Sequence, residues 1–199
     1  MKKFSLKCKR WRPTALYRRQ TDLPVLILLV LCFLLGSVLG CAVGSGAEAD
    51  EVTHLLSGTR PSGLWGYLCC LYTVGRYHLV VLLAATSLLG VVVIPATLLF
   101  RGYFLSCAAA ATIASLPEHG IAVALTACGI SAVLTVPALF LLAMDGFGLS
   151  GRLRALSAGR SNRYSNEAVF SHLGISAVCL ITAAAAEQLL VPTLLSYLL

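Results

Sequence analysis

The residues able to do chemistry in this chain are few, and their spacing matters more than their number. Glu118 and His119 are adjacent and offer an acid and an imidazole for proton handling, although such a pair at a membrane boundary is ordinarily solvated. Eight cysteines invite a metal or redox reading. Cys8, Cys32, Cys41, Cys107, Cys128 and Cys179 are isolated, and no CxxC or His-bearing ligand spacing occurs, so no metal site and no cofactor is expected. Cys69 and Cys70 are neighbours, which bridge to one another only with strain. His54, His78 and His172 stand apart from other ligating groups, and no P-loop, GxSxG or HExxH is present. No enzyme is expected. One ionisable residue, Glu187, lies well inside an apolar run, where a carboxylate must face other protein, be protonated, or be paired. The expected partners are the backbone of the Leu116–Gly120 turn, His119, or a polar group of another protein; snorkelling to the outer interface is the alternative.

The elements that carry these residues follow from the distribution of charge. Of 199 residues only 15 are Lys or Arg and 8 are Asp or Glu, while 58% are apolar. That is too few charges to cover the surface of a water-soluble domain, so the bilayer is the expected solvent and partner. The net charge of +7 does not point to nucleic acid, because the basic residues sort along the chain instead of interleaving with aromatics on one face. Five charge-poor runs are visible: Leu23 to Ala47, Leu79 to Phe100, Tyr103 to Leu116, Ile121 to Met144, and Leu173 to Leu199 interrupted at Glu187. Roughly 20 residues cross the hydrocarbon as a helix. The run from Tyr103 is short unless Arg101 snorkels, and is either a span or re-entrant.

The expected fold is therefore all-α, a polytopic integral membrane bundle of about five helices with a cytoplasmic N-terminus. Its parts are a basic N-terminus (1–22), a first anchor (23–43), an outside loop with an interfacial helix over Leu64 to Tyr77 (44–78), and a four-helix membrane domain (79–199) with a basic cytoplasmic loop at 145–170. This arrangement puts all Lys and Arg inside except Arg60 and Arg76. A rival arrangement, with Pro61 to Gly75 as a short span and 103–116 re-entrant, satisfies the charge rule equally. The first run also has the look of a long signal peptide ending near Cys41, but it continues apolar to Ala47, long enough to remain as an anchor. Within it Gly36, Gly40 and Gly44 lie four apart, a doubled GxxxG ridge that lets a second helix backbone approach closely.

From Leu79 onward the order of features resembles the stage II sporulation protein M family of endospore-forming bacteria. The likeness is carried by Leu-Gly-Val-Val-Val-Ile-Pro ending at Pro95, by Leu-Leu-Phe-Arg-Gly-Tyr with Gly102, and by the Leu116-Pro117 turn. Val-Pro-Ala at Pro137 and Glu187 with Val-Pro at Pro192 complete it. After the turn proline the chain has Glu118-His119-Gly120, where the family often has Gln-Asn. The resemblance implies a non-catalytic scaffold in the bacterial cell membrane, septal during engulfment, that gathers membrane-anchored peptidoglycan hydrolases. The alternative is a membrane subunit of a small-solute transporter, for which the prolines at 95, 137 and 192 and the acid at Glu187 would suit a midplane cavity.

Overall fold

In a computed structural model, which describes residues 14–46, 63–116, 119–159 and 167–198, all regular structure is helical. The helices are α1 (Thr14–Gly44), α2 (Leu64–Ala85), α3 (Gly90–Ser115), α4 (Gly120–Ser157) and α5 (Glu167–Leu198). Leu23–Gly44 of α1, and α2, α3 and α4 entire, are each long and apolar enough to cross a membrane. The fifth, 32 residues long, has an apolar described stretch at Leu173–Leu189. The chain is thus a multi-pass helical membrane bundle. In hydrocarbon only a helix satisfies its own backbone, so sequence without charge over such lengths has little other choice.

The helix boundaries differ from those the charge pattern suggests. The helix starting at Leu64 does not stop at Tyr77 but runs 22 residues to Ala85, the length of a span and not of an interfacial element. The run from Leu79 to Phe100 is not one helix: its first seven residues complete α2, the chain turns at Thr86–Leu89, and the remainder begins α3. The run from Tyr103 is neither a separate span nor re-entrant, because α3 passes through Arg101 without interruption. The turn was hard to see because it carries no charge. It is closed by short polar side chains: Thr86 Oγ1 donates to the Leu83 carbonyl (2.9 Å) and the Leu89 amide donates to Ser87 Oγ (3.0 Å). Ser150 of α4, itself fully buried, donates to the Ser87 carbonyl at 2.8 Å, so the α2–α3 hairpin is pinned to the bundle. Gly90 fits here because a Cβ would overlap the Ala84 carbonyl and press on Ser150.

Two helix ends are set by local chemistry legible in the residues. Leu116, after α3, takes the extended conformation (φ −125°, ψ 86°) that a following proline favours. Pro117 and Glu118 lie outside the described residues. At the far end of α4, Gly159 has φ +75° and its amide donates to the Leu156 carbonyl, a glycine stop of the usual kind. The helix therefore continues well beyond the apolar run into the basic segment at 145–170, expected as a flexible linker, and carries Arg152 and Arg154 on its last turns. Cations at a helix C-terminus oppose the negative end of its dipole.

The core lies where α2, α3 and α4 meet, around Val81, Ile94, Leu98, Leu139 and Ala143. Leu29 of α1 joins it, and Phe33 meets Phe140 edge-on with ring centroids 5.6 Å apart. With five helices alternating in direction, the positive-inside rule predicts that the side holding both basic segments is the cytoplasmic one. Those segments hold twelve of the 15 Lys and Arg; the other three are Arg60, Arg76 and Arg101. The Thr86–Leu89 turn lies on that same side, so the rule predicts that it is cytoplasmic. In a cysteine-free variant carrying Leu88→Cys, an impermeant thiol reagent is expected to label only permeabilised cells; a site refractory in both states would place the residue inside the bilayer and refute α2 as a span.

Candidate functional site

Two structures within the bundle combine close approach and charge. The first is the seam between α1 and α3. Gly36, Gly40 and Gly44 are buried on one face of α1, and a Cβ at each would overlap the backbone carbonyl of Leu99, Tyr103 and Cys107 respectively. Gly102 makes the reciprocal contact: its Cβ would overlap the Phe33 carbonyl and lie 3.0 Å from Ser37 Oγ. Four glycines, three on one helix and one on the other, thus let two backbones touch over two turns. Lipid provides no hydrophobic drive for helix association, so such contact relies on dispersion and weak Cα–H···O attraction.

The second is a polar cluster that the seam positions. Arg101 is the twelfth of 26 residues in α3, near its middle. Its Nη2 donates to Thr135 Oγ1 of α4 at 3.3 Å, and its guanidinium lies 5.1 Å from the centroid of the Tyr77 ring of α2. Thr135 is almost wholly buried and donates in turn to the Ser131 carbonyl (2.9 Å). Arg76 approaches the same ring at 4.9 Å and donates to the Tyr77 hydroxyl at 3.1 Å. Glu187 of α5 is near enough for its charge to act on Arg101, and Cys128 of α4 is also within electrostatic reach. Four helices therefore converge on one guanidinium. An arginine at this depth is costly in isolation, and a ring face, a hydroxyl and a carboxylate are the groups that offset the cost.

Cys128 enters the cluster through a local irregularity. Residues Leu125–Gly129 form a single π-helical turn inside α4. Such turns shift the helical register by about one residue and recur at functional positions. Pro137 follows two turns later on an exposed face, so the irregular part of α4 spans the level at which Arg101 is held.

The residues singled out in the sequence are distributed as follows. Gly36, Gly40, Gly44 and Gly102 meet in the seam, and Glu187 joins the cluster. His119 is exposed in the turn before α4, and Arg101, which the charge pattern had assigned to a helix end, lies within electrostatic reach of Glu187. Pro95 lies inside α3, Leu116 at its C-terminal end and Pro137 inside α4. Pro192 is within α5, its side chain outside the described residues. Among the described residues no group of three His, Cys, Asp or Glu is placed to hold a metal, and no disulfide joins the described cysteines. Arg101, Tyr77 and Thr135 were missed. The signal available was Gly102 directly after the arginine: a residue needed for backbone contact marks helix interior, not helix end.

Two outcomes follow from this geometry. Gly40→Leu places a branched side chain against the Tyr103 backbone, and the purified protein should lose about 1–3 kcal/mol of stability in a melting or denaturation assay. An unchanged melting profile would mean that α1 is lipid-facing there. For the cluster, Arg101→Leu and Glu187→Leu should each cost about 1–2 kcal/mol, and the double variant less than their sum, because the second change removes a charge the first left unpaired. Glu187→Gln keeps shape and hydrogen bonding and should assemble normally. Additive losses in the cycle would show that the two residues do not interact. In comparisons with protein-family models, curated proteins and solved structures, nothing matches this chain.

Proposed function

We propose that the chain is a non-catalytic membrane scaffold that holds the anchors of peptidoglycan-degrading enzymes in a bacterial membrane, at the septum during sporulation engulfment. The observation that carries this reading is the seam. Backbone contact between α1 and α3 at four glycines makes a stiff pair of helices, and the rest of α1 presents Ile27, Leu31, Leu34, Leu35 and Val38 outward, all at least half exposed. A rigid apolar ridge of that kind suits lateral association with membrane anchors, whereas polar solutes need a polar path. The order of the Gly, Pro and Arg positions, which resembles the stage II sporulation protein M family, supplies the cellular context of the proposal.

A second reading, a membrane subunit of a small-solute transporter, is favoured by one feature: Arg101 and Glu187 interact at mid-helix beside the π-turn of α4. Intramembrane charges next to helix irregularities are where transporters bind substrates. The two readings part in a single pair of experiments. Crosslinking followed by pulldown from sporulating cells should recover cell-wall hydrolases with the intact chain and fewer with Gly40→Leu. Recovery of none, together with solute uptake by purified protein in vesicles that Arg101→Leu abolishes, would reverse the assignment.

A further inference from the structure

Arg76 stands where a spanning helix rarely carries charge. It is residue 76 of a helix that runs from Leu64 to Ala85, about 18 Å from the first and about 14 Å from the second at 1.5 Å per residue, and both distances exceed the length of an arginine side chain. It is nevertheless exposed. Away from helix ends, no other charged side chain of the described spans is exposed.

The guanidinium is only partly satisfied. One of its five N–H groups goes to the Tyr77 hydroxyl at 3.1 Å, and among the described residues that hydroxyl is its one hydrogen-bond partner. Charge is also out of balance at this level. Arg76 and Arg101 lie 4.9 and 5.1 Å from the centroid of the same Tyr77 ring, hence no more than 10.0 Å from each other, and the acid beside them, Glu187, already acts on Arg101. The next acid of the described spans, Asp145 of α4, belongs to the level of Ala85, where its neighbour Gly146 meets α2. One cation is left in excess at a depth where an unbalanced guanidinium is costly.

The face that carries Arg76 has the spacing of a helix seam. Trp65, Cys69, Tyr72, Arg76, Leu79 and Leu83 follow one another in alternating steps of four and three, and all are exposed. Such steps keep one stripe facing a second helix along its whole length at a small crossing angle. A second copy docking through this stripe about a two-fold axis would set Arg76 against Arg76, which adds to the imbalance. A lipid headgroup lies beyond the reach of the side chain from either end of α2. Seam spacing and excess positive charge together fit a different helix that brings a negative one.

We propose that this face of α2 docks a transmembrane helix of another protein through an Asp or Glu at mid-depth, the carboxylate accepting hydrogen bonds from the N–H groups of Arg76 that Tyr77 leaves unused. The proposal stands apart from the scaffold reading, which rests on the α1 ridge. It is tested with the full chain in phosphatidylcholine vesicles and a synthetic Leu-Ala spanning helix carrying one central Glu, association being read by energy transfer to a dye on the protein. The Glu helix should bind about tenfold more tightly than the same helix with Leu in its place. Arg76→Leu should make the two equal, and Arg76→Lys, which keeps the charge, should restore most of the preference. Position is checked through Cys69, which precedes Arg76 by about two turns on the same stripe. A cysteine placed two turns from the Glu should form a disulfide with Cys69 on mild oxidation, and one on the opposite side of the peptide should not. Equal binding of the Glu and Leu helices by the unaltered protein, a preference that survives Arg76→Leu, or a disulfide indifferent to where the peptide cysteine sits would each overturn the proposal. Loss of the preference when phosphatidylglycerol is added would assign Arg76 to lipid phosphate and overturn it as well.

Discussion

Contact between the backbones of α1 and α3 is the constraint on which the rest of the bundle depends. Gly36, Gly40 and Gly44 allow the carbonyls of Leu99, Tyr103 and Cys107 to sit where any larger residue would place a Cβ, and Gly102 returns the contact from the opposite helix. Helices that approach this closely are fixed in register and rotation, because sliding by one residue would drive a side chain into a carbonyl. Fixing α3 in turn fixes the direction of Arg101, whose neighbour in sequence is one of the four glycines. The seam and the polar cluster are thus one construction, with packing on one face of α3 orienting a charge on another.

That charge then organises the helices away from the seam. Tyr77 from α2 and Thr135 from α4 contact Arg101, and Glu187 from α5 acts on it electrostatically. In water such an arrangement would be worth little, since each group has water as an alternative partner. In hydrocarbon the alternative is a bare guanidinium, so the contacts select one assembly over others even where their net contribution is small. The hairpin turn at Thr86–Leu89 works on the same principle at lower cost: Ser150 satisfies the Ser87 carbonyl and ties α4 to the end of α2.

How much of this was legible in the residues depends on what each signal measures. Absence of charge over long runs made the helical membrane class unavoidable, and the glycine period in α1 pointed to one face of close approach because small residues four apart have few other structural consequences. Charge was a poor guide to boundaries. Arg101 looked like the end of a span, since an isolated arginine in lipid is costly; only the tertiary fold shows Tyr77 and Thr135 beside it, with Glu187 within electrostatic reach. Conversely the real turn, Thr86–Leu89, is uncharged and closes by side-chain hydrogen bonds that any helix-forming apolar context would tolerate without notice. The continuation of α4 past Met144 was likewise hidden in the basic segment expected as a loop, where Gly146 leaves room for neighbours: a Cβ there would lie 3.0 Å from Ala85 Cβ and 3.1 Å from Ile94 Cδ1.

The central claim is that α1 and α3 meet backbone to backbone at the glycines. Solid-state NMR of the protein in bilayers, with glycine labelled at Cα and tyrosine at its carbonyl carbon, reports that contact directly, and Tyr103→Phe removes the relevant tyrosine signal for assignment. The structure requires a short-mixing cross-peak between Gly40 and Tyr103 that disappears in the Tyr103→Phe sample. A spectrum of well-resolved Gly40 and Tyr103 resonances with no transfer between them would contradict the account.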